Sequence, residues 1–186
     1  PRMSPIFLPK LFLIFFSTKS NIEILYINKF IILFIRLTMS YKGKYKVKKP
    51  EKYDGDFTNV IYRSLWERQF FRWCEDNSDV VRWSSESVVI PYRCKTDNKM
   101  HIYFVDVKVK FKSGKIYLIE IKPEIQTKPP VKKKRKSQKY LKEVMTYIKN
   151  ESKWEQAEKY CKQRGWEFKI FTENTLKSLG IRLLTT

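Results

Sequence analysis

Apolar residues recur along this chain with two different periods, and the change of period marks out its elements. In YRSLWERQFFRWCEDN, residues 62–77, Trp66, Phe70, Trp73 and Cys74 fall at i, i+4, i+7 and i+8, the stripe of an amphipathic helix. Ser64 stands before it as an N-cap, with Glu67 three residues on to close a capping box. On a helical wheel Glu67 lies inside the apolar arc, while Arg68, Arg72 and Glu75 lie outside it. A glutamate on an apolar face needs a partner. The capping box supplies one, and a ligand site would supply another; the pattern leaves both open. Residues 80–92, VVRWSSESVVIPY, read as short strands, and 95–99, KTDNK, as a turn. Two further strands follow in YFVDVKVKFKSGKIYLIEIK, residues 103–122. Beyond a Pro-broken basic run at 128–139, two helical patterns cover 139–149 and 152–164, with Gly165 as the stop of the second. A strand at 166–171 and a short helix, TLKSLG, complete the order α–β–β–β–α–α–β–α, an α/β domain with a mixed sheet.

The hairpin at 103–122 carries the chemistry. Lys112, Ser113 and Gly114 make a three-residue loop whose last residue takes the left-handed region, a position that favours glycine. That loop sets Phe111 opposite Lys115, and counting back sets Asp106 opposite Glu120. Directly opposed residues share a face, with Cβ atoms about 5 Å apart. The other face then pairs Val105 with Ile121, Val107 with Ile119 and Val109 with Tyr117, so apolar pattern and loop agree on the register. Two carboxylates side by side repel, and one resists ionising. A divalent cation such as Mg²⁺ relieves the conflict, because it takes carboxylate oxygens while keeping several waters. Lys122, two residues past Glu120, projects from the same face. The alternative at this stage is an ion pair of each acid with a nearby lysine such as Lys108.

Composition narrows the partner. Of 186 residues, 39 are Lys or Arg and 19 Asp or Glu, a net charge of +20 that points to a polyanion, nucleic acid before an anionic membrane surface. The 42% hydrophobic content is that of a folded domain. Cys74, Cys94 and Cys161 are scattered and His101 is alone, with no CxxC or histidine pair; this spacing argues against a zinc site and for buried thiols in a reducing compartment. A Cys94–His101 nucleophilic pair is the weaker reading. Residues 1–38 differ from the rest: they are rich in Phe, Ile and Leu, nearly free of acids, and hold two apolar runs each too short to span a bilayer. The contrast favours translation starting at Met39, with the upstream stretch as read-through of a leader; a membrane-proximal anchor is the alternative. Residues 39–62 read as a basic arm that is solvated or lies along phosphates, and 63–186 as the domain proper.

Asp106, thirteen residues, then Glu120-Ile121-Lys122 resembles the D…ExK core of the PD-(D/E)xK nucleases, with Val105 where a proline usually stands. YRSLWERQFFRWCEDN, VVRWSSESVVIPYR, DNKMHIYFVDV and IEIKPEIQTKPP together look like the head completion nucleases of large contractile-tailed phages, with TnsA-type transposon-end nucleases as more distant relatives. AEKYCKQRGWEFKIFTE is similar to the closing helix–strand of both. The resemblance runs from Tyr41 to Leu183. It implies a restriction-endonuclease-like fold, a site of Glu67, Asp106 and Glu120 holding Mg²⁺ (or Mn²⁺ in its place), and Lys122 as catalytic lysine. It implies double-stranded DNA and phage head, portal or neck proteins as partners, no stable membrane partner, and a place in the virion head or the host cytoplasm. His101 falls in the family's H-x-Y approach to the aspartate, where packing is the expected role. Arg63, Lys128, Lys132, Lys133, Lys134, Arg135, Lys136 and Lys139 are the expected backbone grip, giving affinity without sequence choice. The function expected is endonucleolytic processing of packaged DNA ends before tail attachment. A non-catalytic plug at the DNA end or portal, and a transposon-end nuclease subunit, are the alternatives.

Overall fold

The computed structural model describes residues 42–131 and 137–183. The expectations for 1–38, for a start at Met39 and for Lys132, Lys133, Lys134, Arg135 and Lys136 lie outside the described residues. The elements run β1 (Gly43–Tyr45), β2 (Val60–Tyr62), α1 (Leu65–Asp76), β3 (Val80–Ser85), β4 (Val89–Arg93), β5 (Met100–Phe104), β6 (Val107–Phe111), β7 (Ile116–Ile121), α2 (Gln138–Lys162), β8 (Glu167–Phe171) and α3 (Glu173–Ser178). A four-stranded sheet has the order β3-β6-β7-β8. Its first three strands are antiparallel and β8 runs parallel to β7, so the sheet is mixed, as expected. β1 pairs with β2 and β4 with β5 in two small antiparallel ribbons.

The register of β6 on β7 is the one the loop and the apolar pattern dictate: Val107 faces Ile119 and Val109 faces Tyr117. Gly114 takes φ +82°, and Phe111 N–H donates to Lys115 O at 2.9 Å across the loop. The expected strand 103–111 is nevertheless two strands. The chain breaks at Val105–Asp106, where Val105 N–H donates to Val88 O and Asp106 O accepts from Glu86 N–H. β5 therefore leaves the main sheet to pair with β4. Val105 packs with Leu118 and Tyr103 instead of opposite Ile121. Val107, Val109, Ile119 and Ile121 lie in a separate core with Phe70, Phe71 and Cys74 of α1. The sheet thus has two dressed faces, one under α1 and one with Ala157 and Cys161 of α2.

Three further expectations are corrected. The two helices expected at 139–149 and 152–164 form one 25-residue helix, α2. The apolar period lapses at its middle because Asn150 and Ser152 are buried there. Ser152 Oγ donates to Ile148 O and accepts from Lys95 N–H, so the helix uses a polar residue to receive a turn rather than to end. The arm expected to be solvated supplies Tyr45, Val47 and Tyr53 to the α1 core. Glu75, placed outside the apolar arc by the wheel, is 1% exposed and explains why the arm packs. Tyr45 O–H donates to its Oε2 at 2.6 Å, while Lys48 N–H and Lys49 N–H donate to Oε1 at 2.6 and 2.9 Å. A buried carboxylate is tolerable only when so satisfied.

Removing that acceptor strands three donors, each costing about 1–3 kcal/mol when buried. Glu75→Ala is expected to lose about 3 kcal/mol or more in urea unfolding, and Glu75→Gln, which keeps an oxygen, clearly less. Equal losses in the two would show that the arm is held by something else.

Candidate active site

The acidic residues singled out by the sequence come from three elements that end near one another. Glu67 lies in the first turn of α1. Ser64 caps that helix by accepting from Glu67 N–H at 3.2 Å, and Ser64 Oγ–H donates back to Glu67 Oε1 at 2.9 Å. Arg63 N–H donates to Oε2 at 2.8 Å. The N-cap half of the expected box is therefore present, while Glu67 reaches back to Arg63 N–H and the Ser64 hydroxyl rather than to Ser64 N–H, and these bonds orient its carboxylate. Burial raises the Glu67 pKa, with the backbone and Ser64 bonds pulling it down, then Lys122.

Asp106 sits in the break between β5 and β6, one residue beyond the last paired position. Its Oδ2 accepts from Ile121 N–H at 2.8 Å, a bond that ties the break to the end of β7. Its other oxygen accepts no hydrogen bond among the described residues. Burial holds the Asp106 carboxyl well above the usual range, and Glu120 and then Glu67 push it further, against Lys122. Glu120 is 1% exposed. Tyr103 O–H donates to its Oε2 at 2.6 Å, and Lys122 Nζ stands 3.0 Å from Oε1. Lys122 stays protonated: burial opposes its charge, but Asp106, Glu120 and Glu67 together raise its pKa. One ammonium thus lies in the field of three carboxylates.

Two further residues stand at this site: Tyr103, the tyrosine of the H-x-Y approach, to which the sequence pattern gives no role, and Lys153, which carries no signal in that pattern. Tyr103, on β5, holds Glu120, and burial together with neighbouring carboxylates keeps its phenol protonated. Lys153, on α2, lies 5.3 Å from the centre of the Tyr103 ring, and burial lowers its pKa against the pull of Glu120. Only the fold shows which of the many lysines faces inward. Arg63, expected on the DNA grip, forms a two-pronged pair with Glu86 at 2.6 and 3.1 Å. Glu86 adopts φ +49°, and its N–H donates to Asp106 O. Lys128 pairs with Glu124, and Lys139 is exposed. Both line a groove of about 950 Å³ with Pro130, Val131 and Lys142. His101 packs its ring 5.7 Å from that of Tyr92 and hydrogen-bonds Asp97.

Against known proteins, the model of the TnsA-like endonuclease N-terminal family matches residues 77–173, a span that includes Asp106, Glu120 and Lys122 but not Glu67. The head completion nuclease of Enterobacteria phage T4 is 40% identical over 152 residues, covering 77% of this chain and 99% of that protein. A mixed sheet with helices on both faces suits the restriction-endonuclease-like core. The chain belongs to the head completion nuclease family, on a TnsA-like endonuclease domain.

Proposed function

We propose that the protein is a Mg²⁺-dependent endonuclease that trims the ends of packaged double-stranded DNA during phage head completion, working in the virion head or the host cytoplasm with head, portal or neck proteins as neighbours. The observation that carries the reading is the ammonium of Lys122, 3.0 Å from Glu120 and within the field of Asp106 and Glu67. Three acids crowd one lysine in a chain of net charge +20, next to where DNA phosphate would add further negative charge. A divalent ion suits that donor set: hard carboxylate oxygens, one of them on Asp106 without a hydrogen-bond donor among the described residues. Asp106 and Glu120 are the proposed holders, with Glu67 completing the set, and Mn²⁺ is expected to substitute. When bound, Mg²⁺ supplies Lewis-acid polarisation of the scissile phosphate and acidifies a coordinated water.

The remaining steps belong to the chain. Tyr103 fixes the rotamer of Glu120 by its hydrogen bond and leaves Oε1 facing the site. Ile121 N–H does the same for Asp106. Lys122 directs the attacking water by hydrogen bonding and offsets the negative charge that grows on the phosphoryl oxygens in the transition state, where a preorganised cation counts most. Lys153 adds positive charge from the α2 side. Lys128, Lys139 and the run Lys132, Lys133, Lys134, Arg135 and Lys136 grip phosphates, and Arg63, paired with Glu86, reaches DNA by exchanging that partner.

Plasmid nicking with Mg²⁺ or Mn²⁺ tests the assignment. The intact chain is expected to cut, and Asp106→Ala or Lys122→Ala to lose on the order of a hundredfold or more in rate. Metal-dependent cutting that survives in Asp106→Ala would place the active site elsewhere; no cutting in either protein would favour a structural plug. Charge crowding gives a second expectation. The folded pKa of Asp106 lies above its ordinary value, so the metal-free folded state binds that proton more tightly than the unfolded chain, and stability falls as pH rises past the ordinary carboxylate range. Without divalent ion, Asp106→Asn should melt a few degrees above the parent at pH 8. The gap should close towards pH 4, where the unfolded carboxylate also protonates, and Mg²⁺ should narrow it at pH 8. An Asn variant that melts lower at every pH contradicts the crowding. For the grip, replacing the five cations at 132–136 by serine should flatten the salt dependence of DNA binding by about 0.9 in log–log slope for each phosphate no longer neutralised. An unchanged slope would mean that the run does not touch DNA.

A further inference from the structure

Away from the carboxylates, Cys94 Sγ, a carboxylate oxygen of Asp97 and a ring nitrogen of His101 all lie within 4.8 Å of one another. They stand at the tip of the β4–β5 hairpin, Cys94 just past the end of β4, Asp97 in the turn and His101 on β5 opposite Tyr92. The turn is built to keep them there. Cys94 N–H donates to Lys99 O and Asn98 N–H to Cys94 O, with Asn98 in the left-handed region at φ +56°. Lys99 N–H donates to Asp97 Oδ1, leaving Oδ2 for His101 Nε2 at 2.8 Å. The Cys94 thiol lies 3.0 Å from Thr96 Oγ1. The same turn docks on α2, where Lys95 N–H donates to Ser152 Oγ.

We propose that this hairpin tip is a metal site for a zinc-type ion, with Cys94, Asp97 and His101 as protein ligands and water in the fourth position. One thiol, one imidazole and one carboxylate suit a borderline ion that takes S, N and O donors; they do not suit Mg²⁺, which selects oxygen. Bonds of about 2.0–2.3 Å to a common ion bring tetrahedral ligand atoms to roughly 3.5 Å from one another, so the wider pairs close by at most about 1.3 Å while the Asp97–His101 pair opens by about 0.7 Å. Asp97 and His101 have side chains 40% and 33% exposed and are free to make that adjustment; Cys94 is fully buried and is the fixed corner. The turn's hydrogen bonds and the Asp97–His101 pair account for two of the three groups, but neither needs a thiol facing them. Binding releases the Cys94 proton, gives up the weak thiol–Thr96 interaction and exchanges the Asp97–His101 hydrogen bond for two bonds to the ion, so affinity rises with pH. The site would brace the hairpin from outside. Two residues beyond His101 on the same strand is Tyr103, the residue that holds Glu120.

The test is titration of the reduced full chain with Co²⁺ at pH 7.5. A thiolate-to-Co²⁺ charge-transfer band is expected to saturate at one equivalent, to be erased by Zn²⁺, and to vanish in Cys94→Ser. It should persist in Asp106→Ala, which separates this site from the one proposed for the nuclease. Because Cys94 is buried and replacing it puts folding at risk, the surface variants Asp97→Asn and His101→Gln carry the same question: each should weaken Zn²⁺ binding at least tenfold in chelator competition while leaving the unfolding midpoint of the metal-free chain nearly unchanged. No charge-transfer band, a band that survives Cys94→Ser or disappears in Asp106→Ala, or Zn²⁺ affinity unaltered in both surface variants would overturn the proposal.

Discussion

The pairing of β6 with β7 is the constraint from which the site follows. With Val107 opposite Ile119 and Val109 opposite Tyr117, each second residue of the two strands joins Phe70, Phe71 and Cys74 under α1. A slip of one residue would turn that whole set to the other face. Glu120 therefore cannot join the α1 core; it lies on the face of Leu118, which packs towards Ala157 and Cys161 of α2. The same register carries Asp106 to the end of the ladder, where its carboxylate reaches Ile121 N–H instead of continuing the strand. Apolar packing on one side thus fixes polar chemistry on the other.

Burying Glu120 is costly, and its surroundings show how the cost is met. The hydroxyl of Tyr103 and the ammonium of Lys122 each take one of its oxygens, so the charge is both hydrogen-bonded and paired. Asp106 has less support. One backbone N–H opposes burial and two neighbouring carboxylates, and its carboxyl is correspondingly reluctant to ionise. A protein gains little stability from such an arrangement. Acids converging on one lysine at the end of a sheet, with Asp106 and Glu67 held above their usual range, are the arrangement on which the proposed active site rests. Glu75 makes the contrast clear: an equally buried acid, it is satisfied entirely by Tyr45 and two backbone N–H groups and serves only to fasten the N-terminal strand.

Much of this was legible in the sequence, for identifiable reasons. The loop glycine and alternating valines specified the hairpin, and Ser64 with Glu67 specified the start of α1, because these signals are local. Where the fold overrode local pattern, the sequence misled. The strand through Val105 and Asp106 broke because β5 has a different pairing partner, which period alone does not reveal. The lapse in apolar period at Asn150 and Ser152 suggested a helix boundary, yet those residues receive the Lys95 turn. Glu75, placed outside the apolar arc, is buried because the arm, not the sheet, covers that side of α1, whereas Glu67, placed inside the arc, is only half-buried. Lys153 had no motif to announce it, Tyr103 closed the H-x-Y approach without its role being readable there, and Cys94, Asp97 and His101 lack the paired spacing by which metal ligands are usually found.

The most direct measurement of the central idea is anomalous diffraction from crystals of the intact protein soaked in Mn²⁺. The account predicts a peak within bonding distance of an oxygen of Asp106 and an oxygen of Glu120, beside the Lys122 ammonium, and its loss in Asp106→Ala. A Mn²⁺ peak bonded to neither residue, or none there at concentrations that support DNA cutting, would contradict it.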